Sequence, residues 1–277
     1  MDVRFLPHPR GTALLGTREM REAFVCEDLF RPGEVRMVYC HADRAIIGGV
    51  APLEAPLALT PSPKETAAEY FLERREAGIV NVGGEGIVRA GGAEWKLGLR
   101  DMVYLGRGTK DVEVGSVRGT DPALFYMVSF PAHASHPCTA APLARAECAS
   151  IGSGEGASRR TIRRYIHPGG VRSCQLVMGL TDLEPGSVWN TMPPHTHTRR
   201  MEVYLYFGLP PDGLVVHLMG EPGATRSLIL RNRQAVISPP WSIHCGAGTA
   251  SYSFVWAMGG ENQEFADMDA VATAELF

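Results

Sequence analysis

The chain has 277 residues, 21% of them charged, and a formal net charge of -3 at pH 7. That length can bury a substantial core in one large domain or two moderate ones, and the near-neutral balance gives no electrostatic reason to expect nucleic acid or an anionic membrane surface as a partner. No run of about 18 apolar residues exists, and the opening "MDVRFLPHPRG" lacks the apolar core of a secretion signal, so a soluble, cytoplasmic protein is expected.

Taken in order, "TREMREAFVCEDLF" spaces its apolar residues at helical intervals and predicts an early helix. Short β-like runs then recur: "RMVYCHADRAIIGGV", "GIVNVGG", "GIVRAGGAEWKL", "DMVYLG", "DVEVGS" and "ALFYMVSF". Glycines and charged turns separate them, as in an antiparallel sandwich or barrel. His41, Asp43 and Arg44 interrupt the first run, either as a buried ion pair or as a substrate contact. "ETAAEYFLERREAG" reads as strand from Tyr70. From Ala132 to Arg160 the texture turns small, polar and rich in Pro and Gly, which predicts a connection. The β texture then returns in "SCQLVMGLTDL", "MEVYLYFGL", "LVVHLMG", "RSLILRNRQAVISP" and "YSFVWAMGG". The predicted class is all-β, two β-barrel halves in one chain with a few short helices: 1–135, a connection over 136–160, and 161–277. No direct residue repeat between the halves is visible. The six cysteines form no CxxC pair and read as free thiols, mostly buried, with Cys245 next to a candidate ligand.

The densest chemistry lies in "NTMPPHTHTRRMEVYLYF", Asn190 to Phe207. In a strand, His195 and His197 point to one face, because side chains alternate with period two, and their imidazoles can then meet one ion at ~2.0–2.1 Å. Glu202 has the opposite parity and joins them only if "TRR" makes a turn or bulge. In "QAVISPPWSIHCGAG", Pro239-Pro240 precede His244 in a turn that could bring a fourth ligand from across a barrel. An HxH pair alone is more often hydrogen-bonded or solvated than metal-bound; the later Glu and His shift that balance. His133 and His136 sit in the Pro-rich connection with no such company, and His217 in "LVVHLMG" reads as a core or strand histidine.

Those segments carry a resemblance. HxH, four residues, Glu, then a turn and a distant His resembles the two-part motif of the cupin superfamily. With "MVYCHADRAIIGG", "YFLERREAGIVNVGG", "RRTIRRYI", "CQLVMGLTDLEPGSVWNTMPPHTHTRRMEVYLYF" and "GENQEFADMD", the chain resembles the 5-keto-4-deoxyuronate isomerase family along essentially its whole length. The resemblance implies two cupin-like halves, only the second metal-bearing, and a zinc ion on His195, His197, Glu202 and His244, one per chain, with other divalent transition metals possible. It also implies a homohexamer and a ketol-isomerase acting on a small keto-uronate in pectin and uronate breakdown. The residues name no proton-transfer base. Arg199 and Arg200 are candidates for a substrate carboxylate, which a guanidinium can hold bidentately, or they form a solvated turn. Tyr204 and Tyr206 share the strand parity of Glu202 and could line the cavity, as could Trp256 and Met258, or all four are core packing. An iron-dependent oxygenase and a non-catalytic sugar-binding or storage protein are the rival readings of the same ligand set.

Overall fold

Runs such as "REAGIVN" and "RMEVYLYF" are too short for stable helices and rich in the branched and aromatic residues that suit a pleated surface. They form the strands Arg75–Asn81 and Arg200–Phe207, buried along their whole length. The structure is a computed structural model that describes all residues from Met1 to Phe277. No helix is long and apolar enough to cross a membrane.

The chain divides into two compact units. The first comprises Met1–Arg4, Asp28–Glu147 and Tyr165–Met178, the second Phe5–Glu27, Cys148–Arg164 and Gly179–Phe277. The linear division expected at 1–135, 136–160 and 161–277 is therefore interleaved. The expected connection also holds strands of its own, Thr139–Ala141 and Glu147–Ile151.

In the first unit a seven-stranded sheet runs in the order Asp2–Arg4, Val35–Cys40, Ile46–Val50, Phe125–Pro131, Arg75–Asn81, Met102–Leu105, Thr139–Ala141. A four-stranded sheet holds Leu57–Ala58, Glu113–Ser116, Gly86–Ala90 and Ala93–Leu97. Ile79, Phe125 and Met127 of the large sheet pack in one apolar cluster with Val88, Leu97 and Val114 of the small one. The fully buried Glu76 points away from that cluster. Its carboxylate accepts the Tyr104 hydroxyl at 2.7 Å and the backbone N–H groups of Cys174, Gln175 and Leu176 at 2.6–2.8 Å, which meets the demand of a buried charge.

The second seven-stranded sheet runs Glu147–Ile151, Arg160–Ile166, Val177–Leu183, Ser253–Gly260, Arg200–Phe207, Ala235–Ser238, Val25–Cys26. Three strands, Arg226–Leu230, Val215–Gly220 and Ile243–Gly248, make a smaller sheet, and His195–Thr196 pairs with Asp269–Ala270. The early helix is Thr17–Phe24, burying Met20 and Phe24.

Two local expectations are corrected. The strand expected from Tyr70 begins at Arg75; Phe71 and Leu72 are buried in a turn, with the Glu73 N–H donating to the Tyr70 carbonyl at 3.1 Å. Apolar character there serves packing without sheet pairing. His41 and Arg44 are not buried: both are exposed around a single helical turn, Ala42–Arg44, in which Asp43 and Arg44 take positive φ. All six cysteines are free.

Candidate metal centre

The parity problem of Glu202 is solved by a turn. After His195–Thr196 the chain folds back, the Arg200 N–H donating to the His197 carbonyl at 3.0 Å, and a new strand starts at Arg200. Gly186 and Gly208 bracket the motif, both in the left-handed region at φ 85° and 73°, which a side chain would strain. His244 enters from the smaller sheet on Ile243–Gly248, just after a turn closed by the Ser242 N–H on the Pro239 carbonyl at 2.9 Å.

The four side chains converge. Glu202 Oε2 lies 3.0 Å from His197 Nε2 and 2.8 Å from His244 Nε2, and His244 Nε2 lies 3.1 Å from His195 Nε2. All four donor atoms fall within 4.8 Å of one another, the one such group of His, Cys and acidic residues in the chain. Donors held at ~2.0–2.1 Å from one ion are roughly 3.0–3.4 Å apart; three of the donor pairs here, at 2.8–3.1 Å, lie near that spacing, and the four could hold a divalent transition ion. The outer contacts agree. His197 Nδ1 meets the Arg200 carbonyl at 2.9 Å; a carbonyl only accepts, so the proton sits on Nδ1 and the neutral ring offers Nε2 as a ligand. His244 Nδ1 is held by Ser238 Oγ at 3.0 Å.

The electrostatics keep His195 neutral and Glu202 ionised, while Glu202 draws His197 toward its charged form. Burial, and then the neighbouring His244, lower His195 to about 3, so it stays neutral. Burial would raise the Glu202 carboxyl, but His244 and His197 hold it well below the usual carboxylate range. Burial disfavours a charged His197 as well, yet its bond to Glu202 prevails and its pKa is raised. One carboxylate and three imidazoles in a largely buried cluster could hold a cation by their chemistry.

Beside the cluster is a cavity of about 310 Å³, at the small end for ligand sites. Among the expected contacts, Tyr204, Trp256 and Met258 line it, together with His195 and Glu202. Tyr204 Oη lies 3.0 Å from Thr191 Oγ1, and Trp256 Nε1 donates to Thr181 Oγ1 at 3.2 Å. Gly179 makes room for that indole: a Cβ there would stand 2.2 Å from Trp256 Cζ2. Tyr206 sits behind the wall, accepting from Asn190 Nδ2 at 3.1 Å and hydrogen-bonded to His217 Nδ1 at 2.8 Å. Burial lowers His217 to about 3. Cys245 is buried away from the lining, and burial pushes its thiol up to about 12.

The two arginines expected to meet substrate do not line the cavity. Arg199 Nε donates to both Asp267 oxygens at 2.8 Å and its Nη2 to Asp269 at 3.0 Å; the fully buried Arg200 donates to the carbonyls of Glu264 and Asp267 at 2.7 Å. Both strap down a segment whose Phe265, Met268 and Ala270 wall the cavity. Sequence reading missed that wall, and it missed Arg160, a buried residue of the lining that falls in the stretch read as a connection.

The sequence pattern that defines the KduI/IolB family matches residues 27–274. Among curated relatives, proteins named 4-deoxy-L-threo-5-hexosulose-uronate ketol-isomerase from Opitutus terrae and Caldicellulosiruptor bescii are 52% and 50% identical over 279 and 276 residues, each alignment covering 100% of both chains. Among solved structures, an IolB-like protein from Salmonella typhimurium superposes with a TM-score of 0.73 at 14% identity, covering 90% of this chain and 96% of that one. An oxalate decarboxylase from Lactobacillus farciminis gives 0.55 at 8% identity, covering 79% and 77%. At such identities the structures speak for a common fold only. End-to-end likeness at half of all positions is a different matter, and with it this chain belongs to the KduI/IolB family.

Proposed function

We propose that this protein is a metal-dependent ketol-isomerase converting 4-deoxy-L-threo-5-hexosulose uronate to 3-deoxy-D-glycero-2,5-hexodiulosonate, moving a carbonyl from C1 to C2 of a linear keto-uronate released in pectin breakdown. The observation that carries the reading is the convergence of His195, His197, Glu202 and His244 on one point beside a cavity, in a chain half identical to proteins of that name. Zinc is the first choice for three imidazoles and one carboxylate, one ion per chain, with other divalent transition ions able to replace it. When bound, the ion supplies Lewis acidity at the substrate oxygens where negative charge develops.

The protein's own groups do the rest. Trp256, Met258 and Phe265 exclude water around the chain of the substrate. Burial first, and then the Glu202 charge, push the Tyr204 phenol well above its ordinary value, so it keeps its proton at Oη and can donate a hydrogen bond to a substrate oxygen. Tyr206, fixed between Asn190 and His217, holds the wall behind it. The cytoplasmic compartment and the homohexamer belong to the same proposal; light scattering should give a mass near six chains.

The test is anaerobic NMR of the purified protein with the keto-uronate. Product should form without oxygen, stop with a chelator and return with zinc. Oxygen-dependent loss of substrate would identify an oxygenase instead, and saturable binding without turnover a carrier.

A further inference from the structure

Arg160 opens the strand Arg160–Ile166 and is 7% exposed, yet it lines the same cavity as His195 and Glu202. No other permanently charged cation does so. Its only hydrogen bond is from Nη1 to the Ser158 carbonyl at 2.8 Å, and no carboxylate pairs with it. A guanidinium carries five N–H donors in a planar fork, so most of this one is left for a partner.

The other buried arginines spend more of their donors inside the protein, although Arg200 Nε also lacks a partner. Arg75 donates to Ser129 Oγ and to the carbonyls of Ser129 and Arg44; Arg200 donates to two carbonyls; Arg163 pairs with Asp182 at 3.1 Å. Arg160 differs in facing a cavity walled by Phe254, Trp256 and Ile162. An under-bonded cation in such a wall is costly to the fold, and an anionic ligand would offset that cost. Tyr204 feels both the Glu202 carboxylate and the Arg160 guanidinium, so the phenol stands within electrostatic reach of both. The cavity therefore has two polar poles: the His/Glu cluster and Arg160.

We propose that Arg160 is the carboxylate receptor of this cavity, holding the acid end of a sugar-acid chain whose other end lies at the His195–Glu202 cluster, and so selecting acid sugars over neutral ones. The proposal rests on the isomerase reading for its reacting end; the carboxylate contact can be tested without it.

The experiment is calorimetric titration of the zinc-loaded protein with D-gluconate and with sorbitol, beside steady-state kinetics on the keto-uronate, for wild type, Arg160→Met and Arg160→Lys. Gluconate should bind wild type at least about 10-fold more tightly than sorbitol, a charge-assisted bidentate contact being worth about 10- to 100-fold. Arg160→Met should erase that preference at unchanged zinc content, and raise KM about 10- to 100-fold with a smaller change in kcat. Arg160→Lys, which keeps the charge but loses the fork, should fall between, and it carries the test if the Met variant does not fold. Equal binding of the two sugars by wild type overturns the proposal, as does a folded Met or Lys variant with the wild-type preference. Lost preference in the variants of a protein that turns nothing over would leave Arg160 in place and remove the isomerase.

Discussion

The two seven-stranded sheets share the chain order of six strands and part at the seventh, Thr139–Ala141 in one and Val25–Cys26 in the other, and they also differ at telling interior positions. In each seven-stranded sheet the fifth strand begins at the second of two arginines, Arg74-Arg75 in one and Arg199-Arg200 in the other. Two residues on, Ala77 lies opposite Leu105 and Glu202 opposite Ser238, each partner being the last residue of the adjoining strand. Three residues before the strand stand Leu72 and His197. Leu72 and Ala77 belong to the apolar cluster of the first unit, while His197 and Glu202 face each other at 3.0 Å. A like backbone thus carries an apolar plug in one unit and, in the other, a His/Glu cluster that could hold a cation. Fold is indifferent to the choice; a handful of side chains makes it.

That contrast can be broken most forcefully from the second unit. His244→Ala or Glu202→Ala should cut zinc from about one per chain to a small fraction, read by elemental analysis, and lower turnover by 10³-fold or more, on the order of removing a principal electrostatic group. Undiminished zinc in both variants would leave the cluster without a role. The reciprocal change, Ala77→Glu, places a carboxylate among Leu72, Ile79 and Val103 with no imidazole to meet it. It should cost about 3–5 kcal/mol of stability in denaturant unfolding and bind no extra zinc. A smaller effect is expected from Ser238→Ala, which frees His244 Nδ1 and should weaken zinc about 10- to 100-fold in chelator competition.

The gentlest test is acid. Asn81 in the first unit stands where Tyr206 stands in the second, and only Tyr206 meets a buried histidine. His217, lowered to about 3 by burial, is neutral when folded and near 6.5 when unfolded. Between those values the unfolded chain takes up a proton that the folded chain refuses, so stability should fall as pH drops from 6.5 toward 3. His217→Gln should flatten that slope in the zinc-free protein; an unchanged slope would assign the acid sensitivity elsewhere.

How much of this was legible in the residues depends on range. The turn that Glu202 required and the Pro-Pro turn before His244 are local and both are present, although the strand His195–Thr196 ends before His197, which joins the cluster from the turn. Arg199 and Arg200 show the limit. Two guanidiniums beside a metal motif suggest an anionic ligand, but whether a chain segment some 65 residues away consumes their donors is a tertiary fact. Arg160 was hidden by its neighbours: "GSGEGASRR" reads as loop, and nothing local marks one of its arginines as buried. The order that six strands of each large sheet share was equally invisible, because pairing geometry can be kept while the side chains change, as Leu72 and Ala77 against His197 and Glu202 show.

The small strand Val25–Cys26 closes the outer edge of the second sheet against Ala235–Ser238, Val25 opposite Val236 and Cys26 opposite Ala235. Arg226 adds hydrogen bonds from the far end of the chain to the carbonyls of Thr12 and Leu15. The unit that holds all four ligands is therefore stitched shut by residues 5–27, which precede nearly all of the other unit in the polypeptide. A clone beginning at Cys148 would encode every ligand and still present a naked sheet edge, a template for pairing with its own copies. The unit with the His/Glu cluster is not a portable cassette: excised, it should be rescued by adding back the N-terminal segment as a separate peptide.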